Sequence, residues 1–293
     1  MNKKEIIIGT TSINRPLLHS DNIPGWYEWI NTVDKNLYNL TWFINIDWIE
    51  KLESTVEETK TNYKNIIKDI NIIFLESDIG KGNFLEACKR ISSNIEKHVE
   101  ENKISHSDVI IIWLEDDWKL NPINITLNEL IENYLSNMTL INLSFLRPNY
   151  IHALAPSIAS YELWSKLHLE AWKKQKTHID PEHCAGLYFI RNYSRYEYIN
   201  NITIISKKNV DENYFNQEFL NYEKSFYTFD SNDSNLVIND KYVKKEDIKE
   251  FCKDKITYIR TTPSMCNDLG RNFMNNLNIF KNKNNKTSGD FYN

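Results

Sequence analysis

The chain has 293 residues, of which 41% are hydrophobic, and its formal net charge is −5. This composition predicts a folded globular protein with a substantial core and excludes a disordered chain. No basic stripe is present and no apolar run reaches the roughly 20 residues that cross a bilayer, so neither nucleic acid nor a membrane-spanning segment is expected.

The first predicted element is a strand at residues 3–9, which runs into a polar segment at residues 10–18. Thr10 and Thr11 stand at the expected carboxyl end of this strand, and Arg15 follows them. Hydroxyl and backbone N–H groups in such a loop suit a nucleotide, and an arginine pairs with phosphate through its planar guanidinium. An ordinary turn with Arg15 in solvent is the alternative that these residues leave open.

A helix is predicted at residues 24–37, where Pro24 marks the start and the apolar residues recur at helical spacing. Residues 40–46 then predict a second buried strand, which ends at Asp47. The Asp47 carboxylate is suited either to bind a base or ribose or to cap the element that follows.

The next stretch predicts a helix within residues 50–69, a strand at 70–75 and a helix at 83–100. The turn between the last two contains two glycines and Lys81. A glycine-bearing loop at a helix N-terminus suits an anion, and Lys81 adds positive charge. The segment lacks the glycine spacing of the Walker and dinucleotide fingerprints.

The strongest chemical signal follows the apolar run at residues 109–114, which predicts a strand buried on both faces. Three carboxylates come directly after it, and we call Glu115, Asp116 and Asp117 the acidic cluster. Burying adjacent carboxylates is costly unless a cation lies between them. Because Mg2+ and Mn2+ prefer carboxylate oxygens and substrate phosphates, the cluster predicts a metal site for a nucleotide diphosphate. A solvated turn is the alternative.

Strands and helices alternate over the first ~120 residues, which predicts an α/β protein with a mostly parallel sheet flanked by helices. Residues 1–200 are predicted to form the main domain, 201–281 a mixed extension packed on it, and 282–293 a disordered tail. The distant cysteines predict free thiols in a reducing, cytoplasmic setting. Later elements are expected as helices at 125–137, 157–172 and 244–252 and as strands at 139–145, 186–190, 202–205 and 256–259.

A second group of titratable residues lies at positions 177–190, just before the apolar run at 186–190. It contains His178, Asp180, Glu182 and His183, and we call residues 180–182 the DPE segment. One of its carboxylates is suited to act as general base toward a hydroxyl, and either histidine is suited to complete a metal shell. A proline-containing surface turn is the alternative.

The segments TTSINRP, INID, GKGNFLEACKR and WLEDDW, with the DPE segment, resemble a glycosyltransferase of the GT-A fold near family 2, over roughly residues 5–190. The resemblance implies a Rossmann-like sheet, with EDD as a form of the acidic DxD motif. It also implies Mn2+ or Mg2+ as cofactor and a nucleotide-sugar donor, with UDP-sugar favoured. The acceptor would be a glycan or another hydroxyl compound.

Carried over residue by residue, the resemblance makes Asp117 the main metal ligand, with His178 or His183 as the metal-binding histidine. Asp180 or Glu182 would be the general base of an inverting transfer. Nucleotide-sugar binding would fall to Thr10, Thr11, Arg15, Asp47, Lys81, Glu115 and Asp116. The ending IDW differs from the usual Asp-x-Ser-x-Asp of the family.

Two other functions are compatible with acids at a strand end. A nucleotidyltransferase also places metal-bound carboxylates there, but its glycine-rich loop after the first strand is not visible, because TTSINRP contains no glycine. A carbohydrate-binding domain without catalysis is the second alternative, and the complete acidic cluster speaks against it.

Overall fold

A computed structural model of the chain describes residues 3–52, 54–77, 82–136, 139–143, 156–174, 181, 202–205, 236–238, 241–243, 257–261 and 265–269. The described elements are, in chain order, β1 (Lys4–Ile13), α1 (Pro16–Ile30), β2 (Tyr38–Asp47), α2 (Val56–Ile66), β3 (Asn71–Ser77), α3 (Phe84–Glu101), a 3-10 turn (His106–Asp108), β4 (Val109–Glu115), β5 (Trp118–Leu120), α4 (Leu127–Tyr134), β6 (Thr139–Asn142), β7 (Ser157–Ser160), α5 (Tyr161–Trp164), a π-helical turn (Ser165–Leu169), α6 (Glu170–Lys174), β8 (Ile202–Ile205), β9 (Leu236–Ile238), β10 (Lys241–Val243), β11 (Thr257–Thr261) and β12 (Cys266–Asp268).

Among the described residues, eight strands form one sheet in the order β3-β2-β1-β4-β7-β6-β11-β8. All neighbours pair in parallel except β7, which runs antiparallel to both β4 and β6. The predicted α/β class, with a mostly parallel sheet flanked by helices, is confirmed. Beyond residue 200, β8 and β11 join this sheet, whereas β9 pairs with β10 and β12 pairs with β5 in two separate sheets. The division into domains stays a prediction.

The two faces of the sheet carry separate cores. On one face, Ile8 and Ile112 of the sheet pack with Trp26 of α1 and Leu130 of α4. On the other, Ile7, Phe43, Ile111 and Trp113 of the sheet pack with α3, α5 and α6. Side chains alternate between the faces along each strand, so the unbroken apolar run of β4 supplies both cores. Each fully buried Ile or Leu contributes about 1.5–3 kcal/mol.

Gly9 allows close packing at the centre of the second core. A Cβ atom at this position would lie 3.0 Å from Ile91 Cγ2 of α3 and 3.2 Å from the ring of Trp113. These distances are shorter than ordinary van der Waals contact. The missing side chain therefore lets α3 and the indole of Trp113 lie directly against β1.

Helices α2, α3 and α4 each begin at a side chain that caps them. Thr55 and Thr126 each accept a hydrogen bond from the backbone three residues later, and Glu58 and Glu129 complete the two capping boxes. Asn83 accepts a hydrogen bond from the Glu86 N–H at the start of α3. Such caps satisfy N–H groups that have no partner within a helix.

Two predicted elements differ from the structure. Helix α1 begins at Pro16 and contains Pro24 in its interior, so the prediction of a start at Pro24 is wrong. Proline is also favoured in the first helical turn, and Pro16 occupies that position. Residues 157–160 form β7 rather than the first turn of a helix, because their backbone pairs with β4 and β6. The predicted strand at 186–190 and helix at 244–252 lie outside the described residues.

A small second sheet lies beside the acidic cluster. Strands β5 and β12 pair antiparallel, and the Leu269 N–H donates to the Asp117 carbonyl at 2.8 Å. Cys266 of β12 is a buried free thiol, as is Cys88 of α3. Across the described part of the chain, every helix is too short or too polar to span a bilayer.

Candidate active site at the carboxyl edge of the sheet

The carboxyl ends of β2, β1 and β4 bring three polar side chains to one level of the sheet. Thr11 pairs with Asn45 on one side and with Glu115 on the other. Directly paired residues point to the same face, which here is the face that packs against α3. Thr10 points to the opposite face, where its hydroxyl accepts a hydrogen bond from the Trp42 indole at 2.8 Å. The two threonines that were predicted to bind nucleotide thus lie on different faces.

Asp116 is fully enclosed by hydrogen-bond donors of the protein. Its Oδ2 atom accepts from His19 Nε2 at 2.7 Å, Arg15 Nε at 3.1 Å and the Ser12 hydroxyl at 3.0 Å. The Ile13 N–H also donates to Oδ2 at 3.1 Å, and Nη2 of Arg15 pairs with Oδ1. Both oxygens are therefore engaged, and Asp116 is only 2% exposed.

The end of β1 and the first turns of α1 supply these donors. Arg15 precedes the helix, and His19 follows four residues later, close to it on the inner side of α1. Asn22, one further turn along, donates from its amide to the Asp116 carbonyl at 3.1 Å. The Asp116 N–H donates to the Thr11 carbonyl at 3.1 Å. The side chain and the backbone of Asp116 are therefore both hydrogen-bonded to β1, to α1 and to Arg15 between them.

The protonation states follow from burial and from these contacts. Burial alone raises the pKa of Asp116, but the charge of Arg15 and the hydrogen bonds from His19 and Arg15 outweigh burial and hold that pKa below its ordinary value. Burial lowers the pKa of His19, although Asp116 opposes this shift. At neutral pH the network therefore contains an ionised Asp116, a cationic Arg15 and a neutral His19 that donates through Nε2.

Glu115 and Asp117 stand on either side of Asp116. Asp117 Oδ2 lies 3.2 Å from Arg15 Nη2, and its side chain is 3% exposed. Glu115 is partly exposed and accepts a hydrogen bond from the Trp118 indole at 3.3 Å. Arg15, which was expected to pair with phosphate, contacts the cluster itself.

A divalent ion fits only part of this cluster. In the portion of the chain that the structure describes, no group of three or more His, Cys, Asp and Glu side chains is arranged to hold a metal ion. Asp116 does not fit as a ligand, because both of its oxygens already accept protein hydrogen bonds. Glu115 and Asp117 offer the hard oxygen donors that Mg2+ and Mn2+ prefer, and phosphate oxygens or a further side chain would have to complete the shell.

Asp47, at the end of β2, anchors the start of α3. Its Oδ2 accepts the Asn83 N–H at 3.0 Å, and its Oδ1 pairs with Nη2 of Arg90. Asn45 donates to the same Oδ1 at 2.9 Å and accepts from Arg90 Nε at 2.8 Å. Asp47 is 1% exposed, and these contacts are to α3, whereas α2, the helix that follows Asp47 in the chain, is capped by Thr55. Binding of a base by Asp47 stays a prediction.

Four predicted site residues lie outside the described residues: Lys81, Asp180, Glu182 and His183, as does the alternative ligand His178. Pro181, in the middle of the DPE segment, is described and buried. Its carbonyl oxygen accepts a hydrogen bond from the Trp172 indole at 3.0 Å. This bond links Pro181 to α6.

Two residues that contact the acids of this edge, His19 and Arg90, were not predicted as site residues. A local signal existed for His19, because a spacing of four in a helix places it near Arg15. The partners of Arg90 and Asp116 lie 43 to 104 residues away in the sequence, so no local pattern reveals these contacts.

No protein-family model and no curated protein matches the chain. Among solved structures, apo mouse xyloside xylosyltransferase 1 matches at 11% identity and a TM-score of 0.37, over 74% of this chain and 93% of that one. Residues 1–349 of S. aureus TarS match at 10% identity and 0.39, over 63% and 56%. The mannosyltransferase PcManGT of Pyrobaculum calidifontis, with GDP-Man and Mn2+, matches at 12% and 0.40, over 66% and 54%.

Two of these structures, the xylosyltransferase and the mannosyltransferase, are glycosyltransferases by name, and the match spans about half of the TarS fragment and of PcManGT. Identities near one in ten and TM-scores below 0.5 do not establish a shared activity. The function of this chain has to be inferred from its own residues.

Proposed function

We propose that this protein is a glycosyltransferase that moves a sugar from a nucleotide-diphosphate sugar to a hydroxyl group. The observation that carries the proposal is the charge of the acidic cluster at the carboxyl edge of a parallel sheet. Ligands bind at this edge in open α/β sheets. Arg15 contacts two of the three carboxylates, and the oxygen atoms of Glu115 and Asp117 suit a divalent ion shared with a diphosphate.

Within the cluster, we assign different roles to neighbouring carboxylates. Asp117 and Glu115 would hold Mn2+ or Mg2+, whereas Asp116 and Arg15 hold the backbone in place. The bound ion would supply charge stabilisation for the departing diphosphate. Thr11, which pairs with Glu115, is the threonine better placed to contact a nucleotide sugar. Lys81 and His183 keep their proposed roles at the phosphates and at the metal.

The proposed reaction is a single displacement. The acceptor oxygen forms a bond to the anomeric carbon, the bond from that carbon to the diphosphate oxygen breaks, and the leaving group departs with the electron pair. The carboxylate of Asp180 or Glu182 takes the acceptor proton. Attack from the face opposite the leaving group inverts the anomeric centre. UDP-sugar is the favoured donor because of the sequence resemblance alone.

The first experiment is a turnover screen of UDP-, GDP- and dTDP-sugars with Mn2+ or EDTA, in which release of the nucleoside diphosphate is measured. Thermal-shift measurements with the same compounds report binding, because a ligand that binds only the native state raises the Tm. We expect metal-dependent turnover of at least one donor. Turnover of nucleoside triphosphates instead would identify a nucleotidyltransferase, and binding of sugar without turnover would identify a binding domain.

The second experiment replaces Asp117 by Asn. We expect turnover to fall on the order of 100-fold or more, because a charge that stabilises the leaving group is lost, while the Tm changes little. Asp69→Asn is the matched control, since Asp69 is 67% exposed and pairs only loosely with Lys35, at 3.8 Å. Near-normal turnover of Asp117→Asn with Mn2+ would remove Asp117 from the metal site.

A further inference from the structure

Helix α1 carries two side chains that donate hydrogen bonds to the backbone of the acidic cluster. The Asn22 amide donates to the Asp116 carbonyl at 3.1 Å, and the Trp26 indole donates to the Trp118 carbonyl at 2.8 Å. Both side chains are completely buried, and a spacing of four residues places them on one face of the helix. The two carbonyls lie on either side of Asp117 in the chain. Helix α1 therefore holds the backbone before and after this residue.

The contact of Trp26 also extends to Glu115. Trp26 and Trp118 belong to the same core, and the Trp118 indole donates to Glu115 Oε2 at 3.3 Å. The residue that Trp26 holds by its carbonyl thus contacts Glu115 by its side chain. Glu115 itself lies in β4, where it pairs with Thr11 of β1. The positions of both carboxylates assigned to the ion, Glu115 and Asp117, therefore depend on groups that α1 fixes.

Fold stability alone does not account for an asparagine at position 22. The Asn22 Oδ1 atom is buried and has no hydrogen-bond partner among the described residues. A buried acceptor without a partner destabilises a fold, and this loss offsets the gain from the hydrogen bond that the same amide donates. Leucine has a similar size and no unpaired oxygen, but it cannot donate to the Asp116 carbonyl. The hydrogen bond to the turn is what distinguishes Asn22 from an apolar residue.

Trp29 provides an internal comparison for Trp26. It lies less than one turn later on α1, and its indole donates to the Ile125 carbonyl at 2.9 Å. The two indoles contact each other edge to face, with centroids 5.9 Å apart, and both rings belong to the same core. Ile125 lies between β5 and α4, beyond the acidic cluster. The two tryptophans therefore share their burial and their kind of hydrogen bond, but only Trp26 holds the turn around Asp117.

We propose that Asn22 and Trp26 are positioning residues, which hold the turn after β4 so that Glu115 and Asp117 face one divalent ion together. This inference rests on the proposed function, and it goes beyond it by assigning residues of α1 that act through the acidic cluster. Loss of a group that orients metal ligands typically lowers metal affinity or activity by about 10- to 100-fold. Metal affinity is therefore the quantity that these two side chains are expected to control.

The first test compares Trp26→Phe with Trp29→Phe. Each change replaces one buried indole of α1 by a smaller ring and removes one hydrogen bond to a carbonyl. For Trp26→Phe we expect the Kd of Mn2+, titrated alone and followed by electron paramagnetic resonance, to rise about 10-fold. We also expect faster amide hydrogen exchange in peptides that cover residues 115–120. Trp29→Phe should keep the wild-type Kd and the wild-type exchange in these peptides.

The second test, Asn22→Leu, separates positioning from stability. The change removes the hydrogen bond to Asp116 together with the unpaired buried oxygen, so we expect a Tm close to that of wild type. The Kd of Mn2+ should nevertheless rise about 10-fold. A lower Tm with an unchanged Kd would show that Asn22 serves stability and would overturn its positioning role.

The outcomes distinguish failure of this inference from failure of the proposed function. Wild-type Mn2+ affinity in both Trp26→Phe and Asn22→Leu overturns the positioning role and leaves the proposed function in place. Equal losses of affinity in Trp26→Phe and Trp29→Phe also overturn it, because they indicate a packing effect. If the variants differ in Mn2+ affinity as expected but the wild-type protein turns over no sugar nucleotide, the proposed function is overturned and the positioning role stands.

Discussion

Two carboxylates at the same sheet edge, Asp116 and Asp47, are both buried, and each is held by a different set of neighbouring groups. Each is paired with an arginine and accepts a backbone N–H, Asp116 from Ile13 and Asp47 from Asn83. The partners of Asp116 come from β1 and α1, whereas those of Asp47 come chiefly from α3. The two networks therefore fix the helices on opposite faces of the sheet.

Exposure distinguishes the two networks. The side chain of Arg15 is 4% exposed, and that of Arg90 is 31% exposed. Water can reach Arg90, although the Asp47 carboxylate is itself 1% exposed, whereas both members of the Arg15–Asp116 pair are closed to solvent. A buried ion pair is strongly destabilised when one partner is removed, and a pair with one solvent-accessible partner is destabilised less. The comparison teaches that Asp116 is a structural group within the acidic cluster, and that loss of the partly exposed Arg90 is tolerated better than loss of Arg15.

The largest expected effect comes from Arg15→Ala. This change leaves the charge of Asp116 buried without its guanidinium, so we expect the free energy of unfolding to fall by about 3–5 kcal/mol. Chemical denaturation measures this loss. Adding Asp116→Asn to Arg15→Ala should restore part of the stability, because the buried charge is gone. A loss below about 1 kcal/mol would contradict the enclosed network.

A smaller effect is expected for Arg90→Ala. Two hydrogen bonds, to Asn45 and Asp47, disappear, but water can take their place, so we expect a loss of about 1–2 kcal/mol in the free energy of unfolding. Lys89→Ala is the matched control on the same helix, because Lys89 pairs with Glu86 of the preceding turn, at 2.7 Å. The control should change stability by less than about 0.5 kcal/mol. Equal losses in the free energy of unfolding for Arg15→Ala and Arg90→Ala would show that the two networks do not differ in their contribution to stability.

The smallest effect concerns pH. The pKa of His19 is lowered in the folded protein, chiefly by burial, so the unfolded chain binds the proton first as the pH falls. His19 therefore stabilises the fold above the ordinary histidine pKa of about 6.5, and this contribution declines below it, by at most about 1.4 kcal/mol per pH unit. Denaturation at pH 7 and at pH 5.5 should give a shallower pH dependence for His19→Gln than for wild type.

The sequence predicts those parts of the fold that depend on local pattern. The apolar run of β4 and the helical stripe of α3 appear as expected, because burial of a whole strand or of one helix face leaves a periodic signal. The four residues of β7 carry no such signal, since only their pairing with β4 and β6 makes them a strand. The start of α1 was predicted wrongly at Pro24, because a proline marks the start of a helix more often than its interior.

The candidate site was predictable in its position and not in its internal contacts. Acids after a buried parallel strand indicate a sheet edge that binds ligands, and the acidic cluster does lie at that edge. The pairing of Arg15 with Asp116 spans 101 residues and depends on the packing of α1 against β4. Charge alone could not tell whether a metal ion or an arginine stands beside Asp116.

Because β5 pairs with β12, the edge of the sheet beside the acidic cluster is completed late in synthesis of the chain. The Leu269 N–H reaches the Asp117 carbonyl, and β11 fills the gap between β6 and β8. A chain emerging from the ribosome can pair β1, β2, β3 and β4 early, but the surroundings of the acidic cluster stay open until residues 257–269 have been added. Synthesis of the last described strands is thus the step that completes this edge, and a nascent chain released before residue 257 would present it unfinished.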